Sequence, residues 1–524
     1  MTFHDAFPAP RTTNNKNNRF FINDIAVPES LRQMLIDSYP SLKKHRNQLK
    51  YWRTLRYLLF PVNYDRTLGT GEKDIYEESP ITMTHEFVAA CWNVHPKKKG
   101  FTSEECLHDF SDNVFPLEII EHRYIEGRAR AVVPYVSSEI SDALSKIHSS
   151  KEPHVYLVTG KAVTTRSLRA HLREAQEGQK INSQTFHELH PAKEFGDFLN
   201  EQSPRAYQKA IVNNIGAAFD MVSKMPLTTS KEIERRNRCL ALLHQIKQNP
   251  YIAYTSVEKT HRIFSVGATA NCLPSEIRKV LFQNLYEIDL HAAQLAIVAK
   301  KWEIPELLTF LQTEANIWQM WADYLDEPLD NCKGLLKTTI YSLVFGMGES
   351  NARCQLRSGE SRGQRFKKSK PHYQAASKRP SRHENPKIYG LGKRKMELFF
   401  EHPIVVALLE ARARELAFIQ FDGGAYDAFN AHWTIEASES SARKKSRSIL
   451  AAVVQSYEMR LMLAAYKAIQ KQPTTHVVSF LHDGLTIDFG DAHKRERHIA
   501  QIQKAVKTAA DDLGIPTKLT VKRL

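Results

Sequence analysis

Two aspartates and a lysine-rich helix carry the residue types that could do chemistry. Asp289 closes the apolar run LYEIDL (285–290), which reads as a strand and leads into the helical stretch AAQLAIVAKKW (292–302). A carboxylate at that strand end is open to a metal, and the same position would suit a helix N-cap. Asp483 lies inside HVVSFLHDGLTIDF (476–489), which has the length and spacing of a β-hairpin with Asp483-Gly484 as its turn signal. Asp-Gly is a common turn pair in its own right. The preceding His482 and the apolar flanks set this pair apart. Two carboxylates brought together at strand ends repel unless a divalent cation neutralises them, and two-metal phosphoryl transfer uses such an arrangement.

The third feature is DNCKGLLKTTIYSLVFGMG, a helix-period run over 331–347. Lys333, Lys337, Tyr341 and Phe345 recur every fourth residue and share one broad face, basic at its start and aromatic at its end. Lysines followed by aromatics suit a nucleotide, with phosphates at one end and a stacked base at the other. An amphipathic helix with snorkelling lysines has the same pattern.

The elements that must position these residues fill a chain of 524 residues. A soft prior on length gives three or four domain-sized units. Residues 1–18 read as a polar, disordered arm and 19–200 as an N-terminal domain without a recognisable role. Ser30 is placed to cap a helix over 31–39, and HVYLVTGK (154–161) reads as a strand. Residues 163–178 and 205–248 look helical, the latter broken near Met225-Pro226. The helical run 493–513 ends at Gly514 and Pro516, and TKLTVKRL closes the chain as a strand. TGK (159–161) is not a phosphate loop, because Val155 stands where the first glycine belongs and Ala162 replaces the Ser/Thr that would hold magnesium.

Composition narrows the class. There are 73 Lys+Arg against 58 Asp+Glu, a net charge of +15, which points to polyanionic partners. Residues 353–395 alone contain 14 Lys/Arg and 2 Asp/Glu, so most of the excess sits in one segment that reads as a long, mobile loop. That loop, with Lys367 and Lys368, is a candidate grip on template or primer phosphates. Six cysteines without a C-x-x-C pair exclude a disulfide scaffold and make a structural zinc module an unlikely fit. No apolar run reaches transmembrane length and the N-terminus lacks signal-peptide features. The expectation is a soluble, cytoplasmic protein with no membrane partner.

In order and spacing, these features resemble motifs A, B and C of the family A (DNA polymerase I-like) nucleic acid polymerases. Motif A has the form D-Y-S-Q-I-E-L; here it runs from Asp289 through His291 and Gln294 to Leu295. Motif B, R-x-x-x-K-x-x-x-[FY]-x-x-x-Y-G, is matched by Lys333, Lys337, Tyr341, Phe345 and Gly346 with identical spacing. Motif C, an apolar strand followed by His-Asp, is matched by Phe480-Leu481-His482-Asp483. Arg262, Asn271, Leu273, Pro274 and Arg278 resemble the stretch before motif A, and Gln455 the glutamine of the helix between motifs B and C. The resemblance covers about residues 262–524.

It implies an α+β, right-hand fold: an antiparallel palm sheet carrying both aspartates, helical fingers containing 331–347, and a helical thumb over 201–261, with a mixed N-terminal domain. It further implies a template-directed DNA polymerase using primed DNA template, dNTPs and Mg2+. Asp289 and Asp483 would hold two magnesium ions. Lys337, helped by Lys333, would meet the triphosphate. Tyr341 and Phe345 would shape the nucleotide pocket, and His482 would lie near the primer terminus. Arg262, Arg278 and Gln455 would contact substrate or primer.

The departures bear on substrate. Gln294 stands where motif A has glutamate, Phe345 where motif B has tyrosine, and Gly484 where DNA polymerases carry Glu. rNTPs are therefore not excluded, and a single-subunit RNA polymerase or primase of the same superfamily is an alternative. An inactive nucleic-acid-binding replication protein is another. No Asp-x-Glu pair occurs before residue 260, so no proofreading nuclease is expected. The compact layout fits a plasmid or virus replicase.

Overall fold

The computed structural model describes residues 24–43, 48–61, 81–94, 100–121, 129–183, 189–228, 230–257, 260–313, 315–359, 390–435, 439–481 and 484–524. The fold is α+β, with many helices and several small antiparallel sheets. Two hydrophobic clusters organise it. One gathers residues between Ile25 and Val158, the other residues between Ala192 and Leu519.

In the first unit the helix Glu29–Ser38 starts one residue earlier than its sequence suggests. Pro28, lacking an N–H, occupies the cap position, and Ser30 falls inside the first turn. The strand expected over 154–161 is only His154–Tyr156, paired with Ala26–Pro28. The chain then folds back, with Gly160 at φ +68° and the Tyr156 N–H donating to the Lys161 carbonyl. The Asp24 carboxylate accepts the amides of Val158 (2.6 Å) and Thr159 (2.8 Å). The Arg32 guanidinium lies 2.7 Å from where a Gly160 Cβ would be. A carboxylate thus already fills the place an anion would take in this TGK segment.

The second unit is built on a four-stranded antiparallel sheet. Its strands are β1 (Tyr286–Leu290), β2 (His476–Leu481), β3 (Gly484–Asp488) and β4 (Leu519–Arg523), in the order β2-β3-β1-β4. Side chains alternate as a half-buried sheet requires. Ile288, Leu290, Leu485, Ile487 and Leu519 are buried, while Asp289, Thr520 and Lys522 are exposed. The long helix α1 (Lys193–Ser223) packs against β2, where Phe195 meets Phe480 edge-on at 5.1 Å. It begins inside the segment assigned to the N-terminal unit, and the expected boundary at 261/262 falls within the strand Thr260–Ser265. The expected break near Met225-Pro226 separates α1 from the helix Ser230–Gln248. Helix α2 (Ala293–Lys301) follows β1, and α3 (Leu329–Val344) holds the lysines and Tyr341. The long helix α4 (Glu439–Gln470) packs on α5 (Arg495–Asp512), and α5 on β4.

The expected loop over 353–395 is helical at both ends. The helix Glu349–Ser358 buries Ala352 and Leu356 and pairs Arg353 with Glu349 at 2.6 Å, one turn apart. The helix Gly392–Glu401 buries Met396 and Phe399 and ties Lys395 to Glu327 at 2.8 Å. Apolar positions at helical spacing outweigh the basic composition there. Lys367 and Lys368 lie outside the described residues, as do the residues between 360 and 389. Among the described residues, no helix is long and apolar enough to cross a membrane.

The two units meet along the helix Ser230–Gln248. Gln248 accepts the Ala26 N–H at 2.9 Å and donates to the Ala26 carbonyl at 3.1 Å; His244 Nε2 lies 2.8 Å from that carbonyl. A cavity of about 300 Å³ opens beside this seam, lined by Phe60, His148, Phe219 and His244 among others. Burial pushes the His244 imidazole down from 6.5 to about 4. The sign follows from linkage: below the unfolded pKa the unfolded chain takes a proton that the folded imidazole refuses, so stability falls as pH drops from 6.5 towards 4. The gap corresponds to roughly 3 kcal/mol. Denaturant midpoints at pH 7 and pH 5 should fall less in His244→Gln than in the wild type. Equal pH slopes would show that His244 protonates as freely folded as unfolded.

Candidate active site

Asp289 sits near the carboxyl end of β1, the second strand from the β4 edge, with a neighbour on each side. Its register partners are Gly484 on β3 and Thr520 on β4. The carboxylate is on the exposed face. A Cβ built on Gly484 would stand 3.5 Å from Asp289 Oδ1, so the glycine leaves that space open. The helix that follows is capped at Ala292, not by the aspartate. Ala292 takes left-handed angles (φ 48°, ψ 30°), a conformation that disfavours a side chain. This corner turns the chain out of β1 and leaves Asp289 on the sheet instead of at the helix end.

His482 and Asp483 lie outside the described residues, but their flanks are placed. Leu481 pairs with Gly484, and Gly484, the chain neighbour of Asp483, pairs with Asp289. The outer edge of β2 is pinned beside that point. The Phe480 N–H donates to the Tyr254 hydroxyl at 2.9 Å, and Asn271 Nδ2 donates to the Phe480 carbonyl at 2.9 Å. Ser479 Oγ in turn donates to Asn271 Oδ1 at 2.7 Å. Burial pushes the Tyr254 hydroxyl up to about 12, so it stays protonated through the neutral range. A register shift between Val477 and Ser479 interrupts the ladder just before these anchors. Bulges re-aim the end of a strand, and here two side chains hold the re-aimed end.

On α3 the buried stripe is Cys332, Leu335, Leu336, Thr339, Ile340, Leu343 and Val344. Lys333 and Lys337 are exposed, Tyr341 and Phe345 half-buried, so the four expected residues share the outward side. Lys337 Nζ lies 5.5 Å from the Tyr341 ring centre, and Tyr341 meets Trp318 edge-on at 5.8 Å. The helix stops at Phe345, where Gly346 (φ +101°) passes against the Arg447 stem.

Phe345 connects to a buried ionic cluster that sequence reasoning missed. Arg262 lies 5.8 Å from the Phe345 ring centre and donates Nη2 to Glu458 Oε2 at 2.8 Å and Oε1 at 3.1 Å. Glu458, on α4, is only 1% exposed. Gln294 of α2 donates Nε2 towards the same carboxylate at 3.5 Å, a weak contact that fixes which way the amide faces. Glu458 thus joins the strand Thr260–Ser265, α2 and α4, with α3 reached through the Arg262–Phe345 contact. Its signal in the sequence was one acid three residues after Gln455 in an otherwise apolar stretch.

Two expected contact residues have local duties instead. Gln455 accepts from Thr260 Oγ1 at 2.5 Å, and Arg278 donates to the Leu273 carbonyl at 2.7 Å. Among the described residues, no group of three or more His, Cys, Asp or Glu could hold a metal. The oxygen donor offered on the open face is Asp289, with Glu287 two positions back on the same side of β1. Hard oxygen donors of this kind suit magnesium.

No family model matches the chain, and no curated protein matches it. Among solved structures it is similar to the "POL domain of Pol1 from M. smegmatis complex with DNA primer-template and dNTP". Identity is 12% and the TM-score 0.39, over 90% of this chain and 80% of that one. The likeness is weak.

The buried cluster generates a test. Arg262→Ala leaves the Glu458 carboxylate buried without its main partner and should cost about 3–5 kcal/mol in chemical denaturation. Adding Glu458→Gln should recover much of that loss. Equal stability of the single and double variants would show that the charge is compensated elsewhere.

Proposed function

We propose that the chain is a template-directed nucleotidyltransferase that adds nucleotides to a primer 3′ end, with the four-stranded sheet as palm, α3 in the fingers, and the helices after residue 200 as thumb. One observation carries this reading: Asp289 and Gly484 are register partners, which brings the chain neighbour of Asp483 beside the open carboxylate. It is supported by the order and spacing of the three motifs, and by the outward lysines and aromatics of α3.

In this reading Asp289 and Asp483 hold magnesium, which when bound lowers the pKa of the attacking 3′-hydroxyl and neutralises charge on the phosphates. Lys337, with Lys333 one turn earlier, meets the triphosphate as a point charge. Tyr341 and Phe345 offer ring faces to the nucleotide, and His482 lies by the primer end. The Glu458–Arg262 pair holds Phe345 and Gln294 in fixed relation. Arg262, Arg278 and Gln455 act through such contacts as positioning residues. Lys367 and Lys368 grip nucleic-acid phosphates. No proofreading step belongs to the reaction.

The ribonucleotide reading keeps a specific basis. Phe345 has no hydroxyl to offer Gln294, and the Gln294 amide is turned towards Glu458. A hydroxyl–carboxylate gate on the sugar is therefore lacking, and a DNA polymerase must discriminate by shape alone.

The test uses the full chain with primed DNA template, magnesium, and either dNTPs or rNTPs. Wild type should extend the primer, and Asp289→Ala should lose about a thousandfold or more in rate, as loss of several kcal/mol of transition-state stabilisation requires. Extension only with rNTPs assigns the chain to the RNA-polymerase or primase class. No incorporation from either set, with template binding intact, leaves a binding protein and sinks the enzymatic reading. Gln294→Ala should raise rNTP use relative to dNTP; an unchanged ratio moves sugar discrimination away from Gln294.

A further inference from the structure

We propose that a cavity at the carboxyl end of β1 binds a polyphosphate anion of the pyrophosphate class. The cavity measures about 340 Å³ and lies between β1, the start of β4 and the end of α5. Its cationic lining is His291, Lys507 and Lys518; its one carboxylate is Asp511, which Lys507 already pairs. A third lysine stands behind the wall. Gly514 ends α5 at φ +64°, and a Cβ there would come within 2.9 Å of the Lys300 side chain and 3.3 Å of its ammonium. A glycine is what lets that ammonium lie so close.

Strand alternation puts this cavity on the chemical side of the sheet. Asp289 and Thr520 form one register pair and face outward. The next pair, Leu290 and Leu519, is buried. One step further, the His291 N–H donates to the Lys518 carbonyl at 2.9 Å, and both side chains are exposed. His291 and Lys518 therefore share the Asp289 face, about 7 Å along the strands. Thr517 Oγ1 donates to the His291 carbonyl at 2.8 Å and fixes the corner.

Three lysines and a histidine around one neutralised acid select an anion. The cavity has the size of a small-ligand site, which suits a diphosphate and not a nucleic-acid duplex. The choice of pyrophosphate over other anions rests on the proposed nucleotidyl transfer, whose leaving group is released on this face. The motif B lysines would hold the triphosphate before reaction; this cavity receives the departing pyrophosphate.

The test is calorimetric titration of the full chain with inorganic pyrophosphate in EDTA, so that metal at the aspartates contributes nothing. Pyrophosphate should bind more tightly than inorganic phosphate. Lys518→Ala should weaken it about tenfold or more, the loss expected for one charge-assisted hydrogen bond. Lys522→Ala, an exposed lysine on the same strand beyond Asp289, should leave it unchanged, and so should Asp289→Ala. Thermal midpoints verify that Lys518→Ala is folded. Absence of binding at millimolar pyrophosphate, wild-type affinity in Lys518→Ala, or equal weakening by Lys522→Ala overturns the proposal. Primer extension without pyrophosphate binding overturns this site alone. Binding without primer extension keeps the site and removes the nucleotidyl-transfer reading.

Discussion

The register of β1 between β3 and β4 governs everything placed on the open face of the sheet. Ile288 and Leu290 are buried among Leu485, Ile487 and Leu519, so hydrophobic burial alone fixes which residues point outward. A slip of one residue would bury Asp289 and expose its two apolar neighbours. The same pairing brings Gly484 against the carboxylate and Lys518 beside His291. Apolar packing under the sheet thus sets the positions of the charges above it. The left-handed corner at Ala292 completes the constraint by ending the strand before the helix can draw Asp289 away.

Behind the sheet, the relation of α3 to the rest depends on one buried carboxylate. Glu458 is desolvated and must keep a cation, and Arg262 supplies it. Because Arg262 also lies over Phe345, the ion pair links the strand Thr260–Ser265 to the end of the lysine helix. Hydrophobic contact alone would tolerate small slides of these elements. A paired, buried charge does not, since displacement exposes an unneutralised group to a low dielectric.

Much of the second unit was legible in the sequence because its patterns are local. The 285–290 strand, the 292–302 helix, the hairpin flanks and the closing strand all follow from period and from turn residues, and so does the shared face of Lys333, Lys337, Tyr341 and Phe345. What was not legible depended on contacts between distant segments. Nothing near Asn271 or Tyr254 tells that they pin Phe480, and Glu458 reads as a stray acid until Arg262 is beside it. The 353–395 segment misled because charge dominates its composition, while its few apolar residues, Ala-352-like in spacing, still bury a helix face at each end. The roles of Gln455 and Arg278 were read from position along the chain, whereas their described hydrogen bonds are to neighbouring backbone and to Thr260.

The seam between the two units has a consequence for how the chain can change. Each unit has its own hydrophobic cluster, and the polar bonds across the seam converge on the backbone of Ala26 from His244 and Gln248. Backbone atoms are present whatever side chain they bear. A different first unit could therefore dock on the helix Ser230–Gln248 if it presented an equivalent strand edge, with little demand on its sequence. The sheet bearing Asp289 would keep its own core throughout. Such a joint is permissive to recombination: the front of the molecule is exchangeable, and the constraint on any replacement is the shape of one strand edge.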